Sequence, residues 1–170
     1  MLITEDYLQL NTLLHEATAN YGAGGWKWVG PALHFMRRSK AVSVIDYGAG
    51  KGSFAQWFPA EGYRVTNYDP VTFPDVPEPH DFVVCCDVLE HIEPDCLDSV
   101  LKDIQQKGRL AAFLVIAMRP ANKSLPDGRN AHLIVADRKF WLDKLSGLYG
   151  AIEEVESLGK ASELVVYCQR

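Results

Sequence analysis

The sequence predicts an α/β protein with a doubly wound, mostly parallel sheet, and three observations carry that reading. Residues 42–45 are mostly β-branched, break at Asp46, and pass through glycines at 48, 50 and 52 into helical sequence over 53–58. A strand that opens into a glycine-rich turn and then a helix begins a nucleotide-binding α/β unit. Two further runs, 81–86 and 110–118, are apolar almost throughout, as strands covered on both faces are. Two more strand-like segments, 152–158 and 163–168, close the chain in tandem.

At 170 residues the chain is long enough to bury a core and reads as one domain over 1–170, a helical cap (1–40) preceding an α/β core (41–170). A net charge of −5 gives no general attraction to nucleic acid or to an anionic membrane, so strong nucleic-acid binding is not expected. No apolar stretch reaches the ~20 residues of a membrane helix. Glu5 and Asp6 stand where a secretion signal would be basic. The four cysteines (85, 86, 96 and 168) form no C-x-x-C pair, and reduced thiols in a cytoplasmic protein are expected. Nothing in the sequence sets an oligomeric state.

The elements follow in order. Residues 4–19 carry apolar side chains at 7, 8, 10, 13, 14 and 17, which is helical spacing, with Thr4 as N-cap and Glu5 and Asp6 in the first turn. The stretch 21–28, Y-G-A-G-G-W-K-W, breaks that helix. It reads either as a connector whose tryptophans pack on the core or as a flap over a ligand, with Tyr21 and Trp26 as contacts. A second helix starts near Pro31, and its basic end, Arg37-Arg38-Ser39-Lys40, suits a helix C-terminus. Residues 63–68 form a strand ending in Asp69-Pro70. The segment 71–80 holds three prolines, which excludes a helix or a central strand there, so the sheet is narrow on that side. Glu93-Pro94 opens another helix, and Asp137 caps one running to about residue 148.

The ligand of the glycine loop follows from its neighbours. A pyrophosphate would be repelled by Asp46, two residues before the first glycine. The sulfonium and ammonium of S-adenosylmethionine (SAM) would be attracted to it. Glycines at 48, 50 and 52 let a ligand approach bare backbone. Asp69 lies 23 residues after Asp46, where an acid at the end of a second strand binds ribose hydroxyls. Val71 and Phe73 are the candidates for an adenine wall.

The pattern D-Y-G-A-G-K-G resembles the first motif of class I SAM-dependent methyltransferases, and D-V-L-E-H-I (87–92) resembles the segment after the fourth strand in the ubiquinone-biosynthesis-like O-methyltransferase group. The resemblance covers about 42–168. It implies SAM as cofactor, a Rossmann-like sheet with an antiparallel C-terminal hairpin (order 3-2-1-4-5-7-6), and a cofactor site of Asp46, the three glycines, Asp69, Pro70, Cys86, Asp87 and Val88. This chain departs from the group in lacking the helix and third strand before 81–86. Some relatives with E-x-x-E-H bind a divalent ion at this place. Here Asp87, Glu90 and His91 would share one face of a helical turn, but Asp replaces the first Glu, and capping of the helix entry is the preferred reading, with no metal.

The loop 119–133 hangs beyond the carboxyl end of 110–118, where open α/β sheets bind ligands, and is dense in polar side chains. Arg129 and Asn130 are its candidates for substrate binding, and a histidine here also resembles the group. If the acceptor is a hydroxyl or a protonated nitrogen, a base is needed, and His91 and His132 are the candidates. His132 is placed at the substrate and His91 nearer the cofactor. Arg119, Lys123 and Arg129 against Asp127 make the loop basic, which suits an anionic small-molecule or nucleotide-like acceptor. A non-catalytic SAM-binding module and another SAM-consuming enzyme share the fold. An NAD-dependent oxidoreductase is disfavoured by Asp46.

Overall fold

The structure, a computed structural model, describes residues 1–59, 62–156 and 158–170. Strands β1 (Ser43–Tyr47), β2 (Arg64–Tyr68), β3 (His80–Cys86) and β4 (Gly108–Ala117) run parallel, while β5 (Ala151–Glu154) and β6 (Glu163–Gln169) form an antiparallel pair joined to β4 through β6. The sheet order is β2-β1-β3-β4-β6-β5, which is the expected order without its outermost strand. The helices are α1 (Glu5–Ala17), α2 (Val29–Ser39), α3 (Ser53–Trp57), α4 (Leu97–Lys107) and α5 (Arg138–Ser146).

Period-two alternation divides the strands between two cores. Ile45, Val83, Cys85, Leu114, Ile116 and Val166 face α4 and α5, where Trp141 and Leu101 close the layer. Val44, Phe82, Val84, Phe113 and Tyr167 face α2 and α3. There Phe35 stacks on Tyr167 at 4.6 Å between ring centroids and on Phe113 at 5.5 Å. Complete burial of one such aromatic side chain is worth roughly 1.5–3 kcal/mol, so the central strands are held by their faces. The thiols are free, and burial pushes those of Cys85 and Cys86 well above the ordinary range.

Residues 71–79 hold neither helix nor strand, as their prolines require. Without a helix there, two tyrosines at the strand ends cover that side of the sheet. Tyr47 and Tyr68 meet edge to face at 4.9 Å, and the Tyr47 hydroxyl donates to Asp103 of α4 at 2.9 Å. His80 anchors the proline segment: Nδ1–H donates to the Glu78 carbonyl at 2.7 Å, and Nε2 accepts from Thr66 at 2.9 Å.

Several boundaries differ from expectation. A 3₁₀ turn, Gly25–Trp28, runs straight into α2, so that helix starts at Val29 and Pro31 still falls in its first turn. Helix α5 stops at Ser146, before Gly147. Strand β5 covers only Ala151–Glu154; of the longer strand expected over 152–158, Ser157 lies outside the described residues. Among the described residues no helix is long and apolar enough to cross a membrane.

Candidate functional site

A cavity of about 260 Å³ opens at the carboxyl ends of β1, β2 and β3. Its floor is built from the strand ends. The N–H groups of Gly48 and Ala49 both donate to the Tyr68 carbonyl, tying the glycine loop to β2. Asp69 accepts from the Gly50 N–H at 3.0 Å with one oxygen and from the Val71 and Thr72 N–H groups at 2.9 and 3.1 Å with the other. A carboxylate offers about four lone-pair sites, so about one remains for a ligand hydroxyl. Asp46 is only 6% exposed and lines the same cavity. Burial, then the nearby Asp69 charge, push its pKa up to about 7.

Gly50 is required by the protein's own backbone, whereas a Cβ at Gly48 would meet the Val88 side chain and one at Gly52 those of Asn67 and Phe73. Gly50 has φ +54, and a Cβ there would stand 2.4 Å from the Gly22 carbonyl oxygen. Gly22 in turn has φ +71, and its carbonyl accepts the Lys51 N–H at 2.9 Å. The segment 20–25 is thereby laid backbone to backbone over the loop and roofs the cavity.

The roof is fixed at its other end too. Thr4 caps α1, and its N–H and Oγ1–H donate to the two Glu93 oxygens at 2.9 and 2.7 Å. The Tyr7 hydroxyl donates to the His91 carbonyl at 2.6 Å. Tyr7 and Leu14 pack on Leu125 and Ala131, seating α1 on the 119–133 loop.

Asp87, Glu90 and His91 do not share a face. Asp87 sits at φ +57 and turns outward to Lys27, with Oδ2 2.9 Å from Nζ, while Leu89–His91 form a 3₁₀ turn that no side chain caps. The capping reading therefore fails. Glu90 is fully buried; one oxygen accepts the Ala117 N–H at 3.2 Å and the other has no partner. Burial raises its pKa to about 8. Glu90, His91 and His132 bring one ligand atom each within 4.8 Å of one another, so the group able to hold a metal ion contains His132 in place of Asp87.

The two histidine rings meet edge to face at 4.6 Å. His91 Nδ1 lies 2.7 Å from the Ala131 carbonyl and His132 Nδ1 2.6 Å from that of Arg119. A carbonyl only accepts, so Nδ1 carries the proton in both and Nε2 keeps the lone pair. His132 Nε2 is 4.0 Å from Glu90 Oε1. Burial, helped by His132, lowers the His91 pKa to about 4, and burial also lowers that of His132.

Of the residues singled out from sequence, Asp46, Gly48, Gly50, Asp69, Pro70, Cys86, Asp87, Val88, Tyr21 and His91 line this one cavity. Gly52 does not; it caps α3 behind the loop, close to Asn67 and Phe73. Trp26 lies outside, 56% exposed beside Trp57, whereas Tyr21 lines the cavity and Trp28 packs in the core. Arg129 pairs with Asp127 at 2.7 Å, and Asn130 spends its amide on Ala121 and His132, so both serve the loop's own shape. His132 stands behind His91 instead of lining the cavity. Val71 and Phe73 do not line it either. Sequence reasoning missed Leu2, Ile3, Tyr7 and Glu93, which reach the cavity through tertiary contacts with no local signature.

The family model for a methyltransferase domain matches residues 14–152, and the chain belongs to that family. No curated protein sequence matches. Among solved structures, the chain is similar to DhpI in complex with S-adenosylhomocysteine (SAH), with 14% identity, 98% of each chain covered and a TM-score of 0.64. It is also similar to the Burkholderia thailandensis 1,6-didemethyltoxoflavin-N1-methyltransferase with its substrate and SAH, with 16% identity, TM-score 0.65, and 100% of this chain and 91% of that one covered. The methyltransferase domain of bacterial CtHen1-CN matches at 14% identity and TM-score 0.62, covering 85% of this chain and 98% of that one.

The Gly22–Gly50 contact is open to a direct test. Gly50→Ala should lower stability by about 2 kcal/mol or more, because strain at positive φ adds to a backbone clash. Gly128→Ala, with φ +89 and nothing near its added Cβ, should cost only about 1 kcal/mol. Equal melting temperatures for the two variants would show that the roof is not held through this contact.

Proposed function

We propose that this chain is a SAM-dependent methyltransferase acting on an oxygen or nitrogen of a small or nucleotide-like acceptor, with SAH as product. Asp46 carries the reading. It is a carboxyl group buried at the mouth of a glycine loop, destabilised as an anion by desolvation and by Asp69, with no hydrogen bond among the described residues to offset either. A cationic ligand relieves that cost, whereas a phosphate would deepen it. The SAH complexes of the structural neighbours support the same cofactor.

SAM supplies an electrophilic methyl group on a sulfonium sulfur. Asp46 and the loop backbone would face its cationic end, with Asp69 and Pro70 at the ribose and Cys86 to Val88 along the side. The roof of Tyr7, Tyr21 and Gly22–Gly25 excludes water and holds donor and acceptor in line. His91, neutral at pH 7 and lining the cavity, receives the acceptor proton at Nε2. His132 and Glu90 stand behind it. Lys27 at the rim and Lys123, 5.3 Å over the Tyr21 ring, are the cations that would meet an anionic acceptor.

A second reading rests on Glu90. Glu90, with one buried oxygen left without a partner, lies with His91 and His132 so that one potential ligand atom of each falls within 4.8 Å of the others, a set that would suit a divalent cation able to polarise an acceptor hydroxyl.

Three tests follow, each on acceptors found by mass spectrometry of small-molecule and RNA extracts incubated with labelled SAM, or on SAH itself. His91→Ala should cut transfer by about 10²-fold or more while SAH affinity stays within a few-fold. His132→Gln, which can still donate to the Arg119 carbonyl, should cost less and move the pH profile. Unaltered turnover in both would place the acceptor elsewhere. Chelation by EDTA, with recovery in Mg²⁺ or Mn²⁺, separates the cation reading from the base alone; indifference to chelator sinks it.

Asp46 makes a signed prediction. Between about pH 4 and 7 the folded chain holds a proton that the unfolded chain has released, so ligand-free stability falls as pH rises through that window. SAH affinity should rise over the same window, because only the carboxylate holds an ammonium, and Asp46→Asn should flatten the slope. Calorimetry showing a pH-independent wild type would remove Asp46 from the site.

A further inference from the structure

The ribose end of the cavity lies beside a missing piece of sheet. Residues 71–79 hold no strand or helix, and Phe73 is turned away, paired through its backbone with Asp69 and with its ring edge near Gly52. Another residue must therefore form the apolar wall there. Leu2 lines the cavity and is half-buried against the cluster that holds Tyr47, Tyr68, Val88, Ile92 and Val100. Tyr68 directly precedes Asp69, and Pro70 directly follows it. Leu2 thus lines the same cavity as Tyr68, Asp69 and Pro70, on the side of the cluster that those strand ends build. Its neighbour Ile3 also reaches the cavity but packs on the cluster of Tyr7, Leu125 and Ala131.

Leu2 is also held in place. Two residues on, Thr4 gives both its N–H and its hydroxyl to Glu93, and Tyr7 reaches the His91 carbonyl. These three bonds pin the start of the chain to the segment after β3, which carries Val88 and Ile92. A flat, largely apolar heterocycle next to a ribose needs such a surface on its face, and a leucine clamped by a bidentate carboxylate supplies one without further ordering on binding.

We propose that Leu2, positioned by the Thr4–Glu93 clamp, forms the adenine wall of the SAM site, standing in for the strand and helix this sheet lacks. The proposal rests on the cofactor reading above. It makes the first residues of the chain part of the nucleoside subsite, and it assigns Glu93 as the residue that positions them.

The test is calorimetric titration of the full chain and its Leu2→Ala and Leu2→Met variants with SAH and, separately, with adenosine. Leu2→Ala should weaken SAH by about tenfold, the scale of losing a partly buried leucine contact. Adenosine should weaken by the same factor, since the loss sits at the nucleoside. Leu2→Met, which keeps length and apolar surface, should stay within about threefold for both. Equal SAH affinity in wild type and Leu2→Ala would overturn the proposal, as would a loss for SAH with adenosine unaffected. A wild type that binds neither compound would instead overturn the cofactor reading.

Discussion

Two carboxyl groups buried side by side at the ends of β1 and β2 set the terms for the rest of this structure. Asp46 and Asp69 are 6% and 7% exposed, and the Asp69 charge adds to burial in making ionisation of Asp46 harder. The chain resolves the conflict for one and leaves it for the other. Asp69 collects three backbone N–H donors, one from the glycine loop and two from the turn after β2, and so fastens two loops that β-pairing does not reach. Asp46 has none among the described residues, so the loop geometry that satisfies one acid leaves the other without a partner.

The loss of a strand and helix before β3 moves work to the N-terminal segment. In a wider sheet, crossovers would wall the ligand cleft on that side. Here α1 and the glycine-rich turn after it cross back over the strand ends, held by Gly22 on Gly50, Thr4 on Glu93 and Tyr7 on His91. None of these contacts is large, but they are spread over three points. Lys27 on Asp87 adds a fourth that is half-exposed on both sides and worth less than about 1 kcal/mol. A roof held by several weak ties of this kind can release a cofactor product without unfolding the sheet beneath it.

The sheet was legible because its signals are local: β-branched runs, alternate burial, and prolines that forbid an element over 71–79. The glycine loop and its two acids were legible for the same reason, since all lie within one β-α-β unit. What escaped was set by contacts between distant segments. Asp127 was in view from the sequence as a partner for Arg129, but the Ala121 backbone that takes up the Asn130 amide is visible only once the loop folds on itself. Trp26 and Trp28 share a stretch, yet one turn of 3₁₀ helix sends Trp28 into the core and leaves Trp26 beside Trp57 in solvent. Leu2 and Glu93 carry no motif at all.

The misreading of 87–91 has a definite physical source. Spacing of i, i+3 and i+4 puts three side chains on one face only if the backbone is helical from the first of them. Asp87 is not; it takes φ +57, a conformation that costs a non-glycine residue on the order of 1 kcal/mol. The reversal points Asp87 outward to Lys27 and leaves Glu90 to turn inward under His91 and His132. Had the segment been helical, the two acids would have shared a face and repelled each other next to Asp46. The strain separates them, giving one acid a lysine at the rim and the other a buried place between two neutral imidazoles. A short, irregular turn thus does what a regular helix could not: it assigns different surroundings to carboxyl groups three residues apart.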